Sequence, residues 1–299
     1  MSGLLDRRLL LVTGKGGVGK STVAAALALR LAAGGRRTLL CEVNAGGRLG
    51  RMLAHPEVGP TVTGVEPNLW MVDLQPDESM REYVLMKIRL ERVYRAVFEN
   101  RMVRYFLRFI PSLAETLMLG KVMWHLRQWP DAPGGFDRIV MDLPATGHAL
   151  TLLGVPKGLL AALPSGPMAT EARWMQEMLV DPALTAALLV SLPEDLPVNE
   201  TLELAEALRG QLSIHVGAAI LNQAVRSRFG PADRVALDGR PGLGALVEAY
   251  EEDARRTAEA KERLRAVGAP LLELPRLTAP ELGRTELVAF GEGLEEGLG

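Results

Sequence analysis

The chain has 299 residues, of which 48% are hydrophobic, and its formal net charge is −2. This length and composition suffice for one large α/β domain or two small ones. The charge excludes a general attraction to nucleic acid, and the single cysteine, Cys41, excludes an internal disulfide.

The N-terminal region predicts a strand, a phosphate-binding loop and a helix. An apolar run over residues 9–12 precedes the sequence GKGGVGKST at residues 14–22, and an alanine- and leucine-rich segment follows. Glycines let backbone N–H groups point at phosphate oxygens, and a helix N-terminus adds partial positive charge. In a P-loop, Lys20 contacts the β- and γ-phosphates and the Ser21 hydroxyl is a Mg²⁺ ligand. The residues expected to bind the nucleotide here are Gly16, Gly17, Val18, Gly19, Lys20, Ser21 and Thr22.

The same loop also spells G-x-G-x-x-G, which is typical of a dinucleotide-binding turn. Glu42 lies about 20 residues further on, as that alternative requires. However, a dinucleotide-binding turn needs neither a lysine nor a metal-binding hydroxyl. Lys20 and Ser21 therefore favour the P-loop.

Seven apolar runs predict seven strands, separated mostly by segments of helical pattern. They cover residues 9–12, 38–43, 69–74, 138–142, 186–190, 216–221 and 271–274. This alternation predicts an α/β fold with a doubly wound, mostly parallel sheet of the P-loop NTPase type. Asn44, Asp142 and Asn222 stand at the carboxyl ends of their strands, where such sheets bind ligands. We expect a single domain over residues 1–299.

Segment 79–127 differs in composition and predicts a helical insertion of two or three helices. Between residues 80 and 127 lie five of the twelve methionines, three of the four tyrosines and three of the six phenylalanines. Three interpretations remain open: a helical layer packed on the sheet, an exposed methionine-rich surface for an apolar partner, or a contact with a membrane surface.

Five features in chain order together resemble one known family. They are Lys15 within the P-loop, DLPATGH at residues 142–148, PE at 193–194, ET at 200–201 and LNQ at 221–223. The chain resembles the ArsA/Get3 family of ATPases, which belongs to the deviant Walker-A, MinD-like branch of P-loop proteins. The resemblance extends from residue 9 to about residue 275.

The resemblance implies ATP and Mg²⁺ as cofactors, and a homodimer or a heterodimer with a paralogous ATPase. Lys15 would reach the phosphates bound by the opposite subunit, and Asp142 would organise the water shell of the metal ion. Together with Lys20 and Asn44, these residues form the expected catalytic set.

The resemblance also implies roles for residues outside the P-loop. Gly147 and His148 would belong to a nucleotide-sensing switch, while Asn222 would hydrogen-bond the adenine edge with Pro275 beside the base. An amide suits adenine because it offers both a donor and an acceptor. For Asn222 and His148, a hydrogen bond within a loop is the alternative.

The chain departs from the family pattern at Asn44. The family has an aspartate there, in the first switch, which orients or activates the attacking water. An amide cannot take a proton, so loss of the carboxylate predicts hydrolysis slower by roughly 10² to 10⁴. Glu42, two residues earlier on the same strand face, is the candidate substitute.

A second departure concerns cysteines. The family's metalloid-binding and zinc-binding cysteines are missing, so neither metalloid extrusion nor a zinc-bridged dimer is expected. A cytoplasmic location is expected, because no signal peptide precedes the first strand and the apolar run near the middle of the chain is too short to cross a bilayer.

The leading hypothesis is an ATP-binding dimeric switch that couples ATP binding and slow hydrolysis to a partner. That partner would be a hydrophobic client or a membrane-associated protein that contacts segment 79–127, and nucleic acid is not expected. Two alternatives remain: a non-hydrolysing regulatory subunit of a heterodimer, and a MinD/ParA-like positioning factor. Against the last, the C-terminus is acidic and no strongly basic face is evident.

Overall fold

The computed structural model describes residues 3–76, 113–128, 135–230, 242–277 and 282–298, and residues 78, 79, 81, 232, 233 and 237 between these ranges. The strands in these ranges are β1 Leu9–Gly14, β2 Thr38–Val43, β3 Thr63–Glu66, β4 Leu69–Leu74, β5 Arg138–Asp142, β6 Thr185–Ser191, β7 Val216–Ala224 and β8 Leu271–Pro275. The α-helices are α1 Lys20–Ala33, α2 Arg48–Met52, α3 Leu113–Gln128, α4 Thr146–Ala162, α5 Pro167–Val180, α6 Asp195–Gly210, α7 Leu243–Leu264 and α8 Arg284–Leu298. Short 3₁₀ turns cover Leu4–Asp6 and Arg265–Val267.

The strands form one sheet in the order β3-β4-β2-β5-β1-β6-β7-β8. Neighbouring strands are parallel except for β3, which pairs antiparallel with β4 at one edge. The predicted doubly wound, mostly parallel sheet is therefore confirmed, and all seven predicted strands are present. The sequence did not predict β3, because its four residues are half-buried or exposed and form no apolar run.

Helices cover both faces of the sheet, which explains the continuous apolar runs of the central strands. Leu9 and Leu11 of β1 point into one core with α3 to α7, while Leu10 and Val12 point into the other, with α1 and α8. Gly291 of α8 lies so close to α1 that a Cβ there would be 2.7 Å from a backbone oxygen. Both faces of the sheet are thus sealed, and the strand ends remain for binding.

Helix α3 contains most of the described residues of the predicted insertion 79–127. Its methionines Met118 and Met123 are buried with Leu119 in the core beneath it. Apart from residues 79 and 81, the remainder of the segment, including Tyr83, Tyr94 and Tyr105, lies outside the described residues. The three interpretations of the segment therefore stay predictions. Among the helices that the structure describes, none is both long and apolar enough to cross a membrane.

His125 of α3 is expected to make the protein less stable in acid. Its ring packs edge-to-face against Phe136 with centroids 5.5 Å apart, and burial lowers its pKa from 6.5 to about 4, with a smaller contribution from Lys121. The unfolded chain therefore takes up the proton at higher pH than the folded chain, and the free energy of unfolding falls as the pH drops from about 6.5 towards 4. We expect this group to remove about 2 kcal/mol between pH 7 and pH 5.

Urea denaturation at the two pH values checks this expectation. His125→Phe should lose that part of the pH dependence, whereas His55→Phe, at a surface loop, serves as the matched control. An unchanged difference between the two pH values in His125→Phe would contradict the assignment.

Candidate functional site

The P-loop joins β1 to α1 and is packed tightly on one side only. A Cβ on Gly14 would lie 2.2 Å from the Val190 carbonyl oxygen, and one on Gly19 would lie 2.3 Å from the Asn222 amide nitrogen. Both glycines also have positive φ, 148° and 94°. On the other side, a Cβ on Gly16 or Gly17 would meet no described atom within 4 Å. The loop is thus fixed at its back and open at its front, as a phosphate cradle must be.

Lys20 and Ser21 begin α1 and lie beneath the open side of the loop. Both are buried, and the Lys20 ammonium donates a hydrogen bond of 2.8 Å to the Lys15 carbonyl oxygen. Burial lowers the pKa of Lys20, and the nearby Asp142 carboxylate opposes that change. Thr22 follows in the first turn of the same helix. The structure therefore brings the predicted P-loop residues together at a helix N-terminus.

Three buried acids form a row at the carboxyl ends of neighbouring strands. Glu42 of β2 is in register with Asp73 of β4 on one side and with Asp142 of β5 on the other. Side chains at paired positions of parallel strands lie on the same face of the sheet. Their exposed fractions are only 0% for Asp73, 1% for Glu42 and 3% for Asp142. This carboxylate row lies beside the P-loop, because β5 also neighbours β1.

Asp142 contacts Ser21 of the P-loop and the Arg48 side chain of α2. Its Oδ2 atom accepts a hydrogen bond of 2.6 Å from the Ser21 hydroxyl and one of 3.1 Å from the Arg48 guanidinium. Arg48 also donates to the Ser21 oxygen. Burial raises the pKa of Asp142, while the Ser21 hydrogen bond and the charges of Arg48 and Lys20 oppose that rise.

These contacts fit a Mg²⁺·nucleotide. A cationic group already bridges Ser21 and Asp142, and the second carboxylate oxygen of Asp142 is buried without a hydrogen-bond partner among the described residues. No cluster of three or more His, Cys, Asp or Glu side chains capable of holding a metal occurs in the described part of the chain. Ser21 and Asp142 would therefore bind the ion together with phosphate oxygens and water, as Mg²⁺ prefers.

The loop between β2 and α2 is held by the other two acids of the row. Asp73 accepts hydrogen bonds from the backbone N–H groups of Ala45 and Gly47, at 3.1 and 3.2 Å, and Glu42 accepts one of 3.0 Å from Leu49. Burial raises the pKa of Glu42. Asn44, which begins this loop, is exposed and has a φ of 47°. Asn tolerates that left-handed conformation better than most residues do, so the backbone does not require the family's aspartate.

Lys15 forms an ion pair within its own chain. Its ammonium lies 2.5 Å from a carboxylate oxygen of Glu200 on α6, and both side chains are partly exposed. The other Glu200 oxygen accepts a hydrogen bond of 3.3 Å from Thr146, the first residue of α4. Gly147 and His148 follow Thr146 in the first turn and are exposed. Glu200 therefore connects the P-loop lysine to the start of the predicted second switch.

Asn222 contacts the P-loop from behind. Its amide donates a hydrogen bond of 2.9 Å to the Val18 carbonyl and accepts one of 2.9 Å from the N–H of Gln223. The alternative left open by the sequence was a hydrogen bond within a loop, whereas the bond to Val18 joins β7 to the P-loop. Pro275 pairs with Ala224 at the same end of the sheet and is exposed. The adenine-binding roles of Asn222 and Pro275 stay predictions.

Sequence reasoning missed the contacts of Arg48, Asp73 and Glu200. Asp73 had a detectable signal, because it is the one acid in an otherwise apolar strand, as Glu42 is in β2. The sequence offered no comparable signal for Arg48. Glu200 belongs to the family-like ET pair at residues 200–201, but that pair did not indicate its contact with Lys15. The partners of Arg48 and Glu200 are 94 and 185 positions away in the chain.

We expect Asp73→Asn to loosen the loop over residues 44–47. The amide keeps only one acceptor oxygen for the two loop N–H groups, which should cost about 1 to 3 kcal/mol of unfolding free energy. Urea denaturation measures that loss, and hydrogen exchange should show faster exchange at Ala45 and Gly47. Asp181→Asn, at the end of α5, is the control. Unchanged exchange at both loop amides would contradict the role of Asp73.

Comparison with known proteins places the chain in a family. A sequence model of the family described as "Anion-transporting ATPase" matches residues 7–165, just over half of the chain. ATPase BagA of Mycobacterium tuberculosis (strain H37Rv) is 33% identical over 302 residues, covering 91% of this chain and 88% of that protein. ATPase ARSA1 of Chlamydomonas reinhardtii is 26% identical, covering 76% of this chain and 36% of its own length. A putative arsenical pump-driving ATPase of Halobacterium salinarum is 28% identical, with 75% and 37% covered. The chain therefore belongs to the anion-transporting ATPase family and carries the ATP-binding loop of an ArsA-type ATPase.

Proposed function

We propose that the chain is one subunit of a dimeric switch that binds Mg²⁺·ATP and hydrolyses it slowly. The observation that carries this proposal is the pair of contacts made by Glu200. One carboxylate holds both Lys15 of the P-loop and Thr146 at the start of α4. A change at the phosphates that moves Lys15 would therefore be transmitted through Glu200 to the segment that contains His148.

Each polar residue of the site has a task in this proposal. The P-loop N–H groups and Lys20 bind the β- and γ-phosphates. Ser21 and Asp142 would hold Mg²⁺, which when bound would supply positive charge against the charge that develops on the phosphates. Lys15 leaves Glu200 and extends towards the nucleotide of a partner subunit. That partner is either a second copy of the chain or a paralogous ATPase.

Asn44 sets the hydrolysis rate in this proposal. It directly follows β2 at the carboxyl ends of the strands, next to the carboxylate row, but has an amide where the family has a carboxylate. An amide can hold a water molecule through its oxygen but takes no proton from it. Glu42 is an unfavourable substitute, because it is buried and one of its oxygens is bonded to the N–H of Leu49.

Four of the matching relatives are named arsenical pump-driving ATPases, three of them as putative, and these names raise the question of cargo. Arsenic in arsenicals is a soft atom that prefers clusters of thiolate ligands. This chain has only one cysteine, Cys41, which is buried in β2, and burial raises its pKa to about 12. We therefore propose a nucleotide-dependent switch for this chain, with a cargo other than a thiolate-bound metalloid.

We expect Asn44→Asp to increase ATP turnover at saturating ATP by at least about tenfold, because a carboxylate can orient and deprotonate the attacking water. Nucleotide affinity should stay within about twofold, since Asp tolerates the same backbone conformation. Steady-state phosphate release and equilibrium binding of a fluorescent ATP analogue measure the two quantities. Lys20→Ala, which removes the phosphate-binding ammonium, should abolish both. Wild-type turnover as fast as that of Asn44→Asp would refute slow hydrolysis, and absence of ATP binding would refute the proposed function.

We expect Lys15→Ala to abolish ATP-dependent dimerisation while leaving ATP binding by the single subunit intact. Conversely, Glu200→Gln should strengthen dimerisation by about two- to fivefold, because a partly exposed ion pair contributes roughly 0.2 to 1 kcal/mol to holding Lys15. Sedimentation with and without Mg²⁺·ATP measures both effects, either alone or with a purified paralogue. Glu203→Gln, exposed on the same helix, is the matched control. ATP-dependent dimers of Lys15→Ala would contradict the proposed role.

A further inference from the structure

Arg48 reaches from the surface into the centre of the site. It is the first residue of α2 and directly follows the loop over residues 44–47. Its side chain is 55% exposed, whereas the Asp142 side chain that it contacts is 2% exposed. The guanidinium donates to Asp142 at 3.1 Å and also to the Ser21 oxygen. One surface side chain thus bridges the two groups that would hold the metal ion.

A guanidinium at this position competes with a metal ion. Arg48 brings one positive charge and donates hydrogens to the same lone pairs of Ser21 and Asp142 that a cation would take. A divalent cation bound at these oxygens within a few ångströms would repel the guanidinium. The two cations therefore exclude one another, and Arg48 must withdraw when Ser21 and Asp142 take up a Mg²⁺·nucleotide.

The segment that carries Arg48 has room to change when Arg48 withdraws. Gly46 and Gly47, immediately before Arg48, have positive φ angles of 66° and 70°. A Cβ on Gly46 would meet no described atom within 4 Å, so the loop has room to change there. On its other side the loop is fastened through backbone N–H groups to Asp73 and Glu42. Arg48 therefore adds a third attachment of this segment to the carboxylate row, through Asp142.

We propose that Arg48 is a metal-competing positioning residue, which reports Mg²⁺·nucleotide binding to the loop over residues 44–49. In one state it neutralises Asp142 and holds the loop against the site. In the other it is released into solvent and the loop is free to rearrange. This inference deepens the proposed function and rests on it, because it assigns to one side chain the sensing of the bound metal.

The test measures metal affinity and loop exchange, not turnover. ADP with a fluorescent ribose label is bound to the full chain in EDTA, and Mg²⁺ is then titrated at saturating nucleotide. Arg48→Gln should bind Mg²⁺ about tenfold more tightly than wild type, since the competing charge-assisted hydrogen bonds are gone. In wild type one guanidinium nitrogen, Nη2, donates to both Ser21 and Asp142. Arg48→Lys keeps the positive charge but replaces the planar guanidinium with a compact ammonium, and its Mg²⁺ affinity should lie between the two.

Arg51→Gln is the matched control. Arg51 lies one turn along the same helix, and its guanidinium donates to the Gly46 carbonyl, away from the carboxylate row. Its Mg²⁺ affinity should stay within about twofold of wild type. Hydrogen exchange over residues 45–49 supplies the second readout. In wild type it should accelerate when Mg²⁺ is added to the ADP complex, whereas in Arg48→Gln it should be fast with or without the metal.

The outcomes separate this inference from the proposed function. Equal Mg²⁺ affinities of the labelled-ADP complexes of wild type and Arg48→Gln would overturn this inference alone. Weaker Mg²⁺ binding by the variant would do the same. Failure of wild type and variant to bind nucleotide at all overturns the proposed function and this inference with it. Thermal unfolding of each variant verifies that it is folded before the comparison is made.

Discussion

Asp73, Glu42 and Asp142 lie side by side on three neighbouring strands, and each is almost completely buried. A buried carboxylate without compensating donors costs several kcal/mol. The compensation comes from the backbone of residues 44–49, from the Ser21 hydroxyl and from a guanidinium. The path of the chain between β2 and α2 is therefore set by the hydrogen-bond donors that these buried acids require. A loop rich in glycine can follow that path.

The site consequently has two sides of different physical character. The back of the P-loop is fixed by close packing, with Gly14 against β6 and Gly19 against the Asn222 amide, and neither contact leaves room for another atom. The front is held by ion pairs of Lys15 and Arg48, both of which reach solvent. Packing contacts in a dense interior resist displacement, whereas partly exposed ion pairs contribute little and exchange partners easily. A ligand can rearrange the front without disturbing the back.

Much of this organisation could be predicted from the sequence, because it depends on local pattern. The apolar runs predicted seven of the eight described strands, and the glycines with Lys20, Ser21 and Asp142 predicted the site at their ends. The edge strand β3 was not predicted, because its four residues are half-buried or exposed and form no apolar run. The contacts of Arg48 and Glu200 escaped for another reason. They join side chains from distant elements, and only the sheet order brings those elements together.

Lys15 and Arg48 are each held by a carboxylate of their own chain, Glu200 and Asp142 respectively. In the proposed switch, nucleotide phosphate would draw Lys15 away from its carboxylate, and the metal ion would replace Arg48 at Asp142. The energetics favour such an exchange. Micromolar nucleotide binding releases about 8 kcal/mol, whereas breaking a partly exposed ion pair costs roughly 1 kcal/mol or less. The Arg48 pair is costlier to break alone, because Asp142 is buried. That cost disappears if another cation replaces the guanidinium at Asp142. A nucleotide that carries its metal ion would therefore break the Arg48–Asp142 contact at a lower cost in free energy than a nucleotide without one. In the proposed switch, burial of Asp142 would thereby make the front of the site selective for a nucleotide that carries its metal ion.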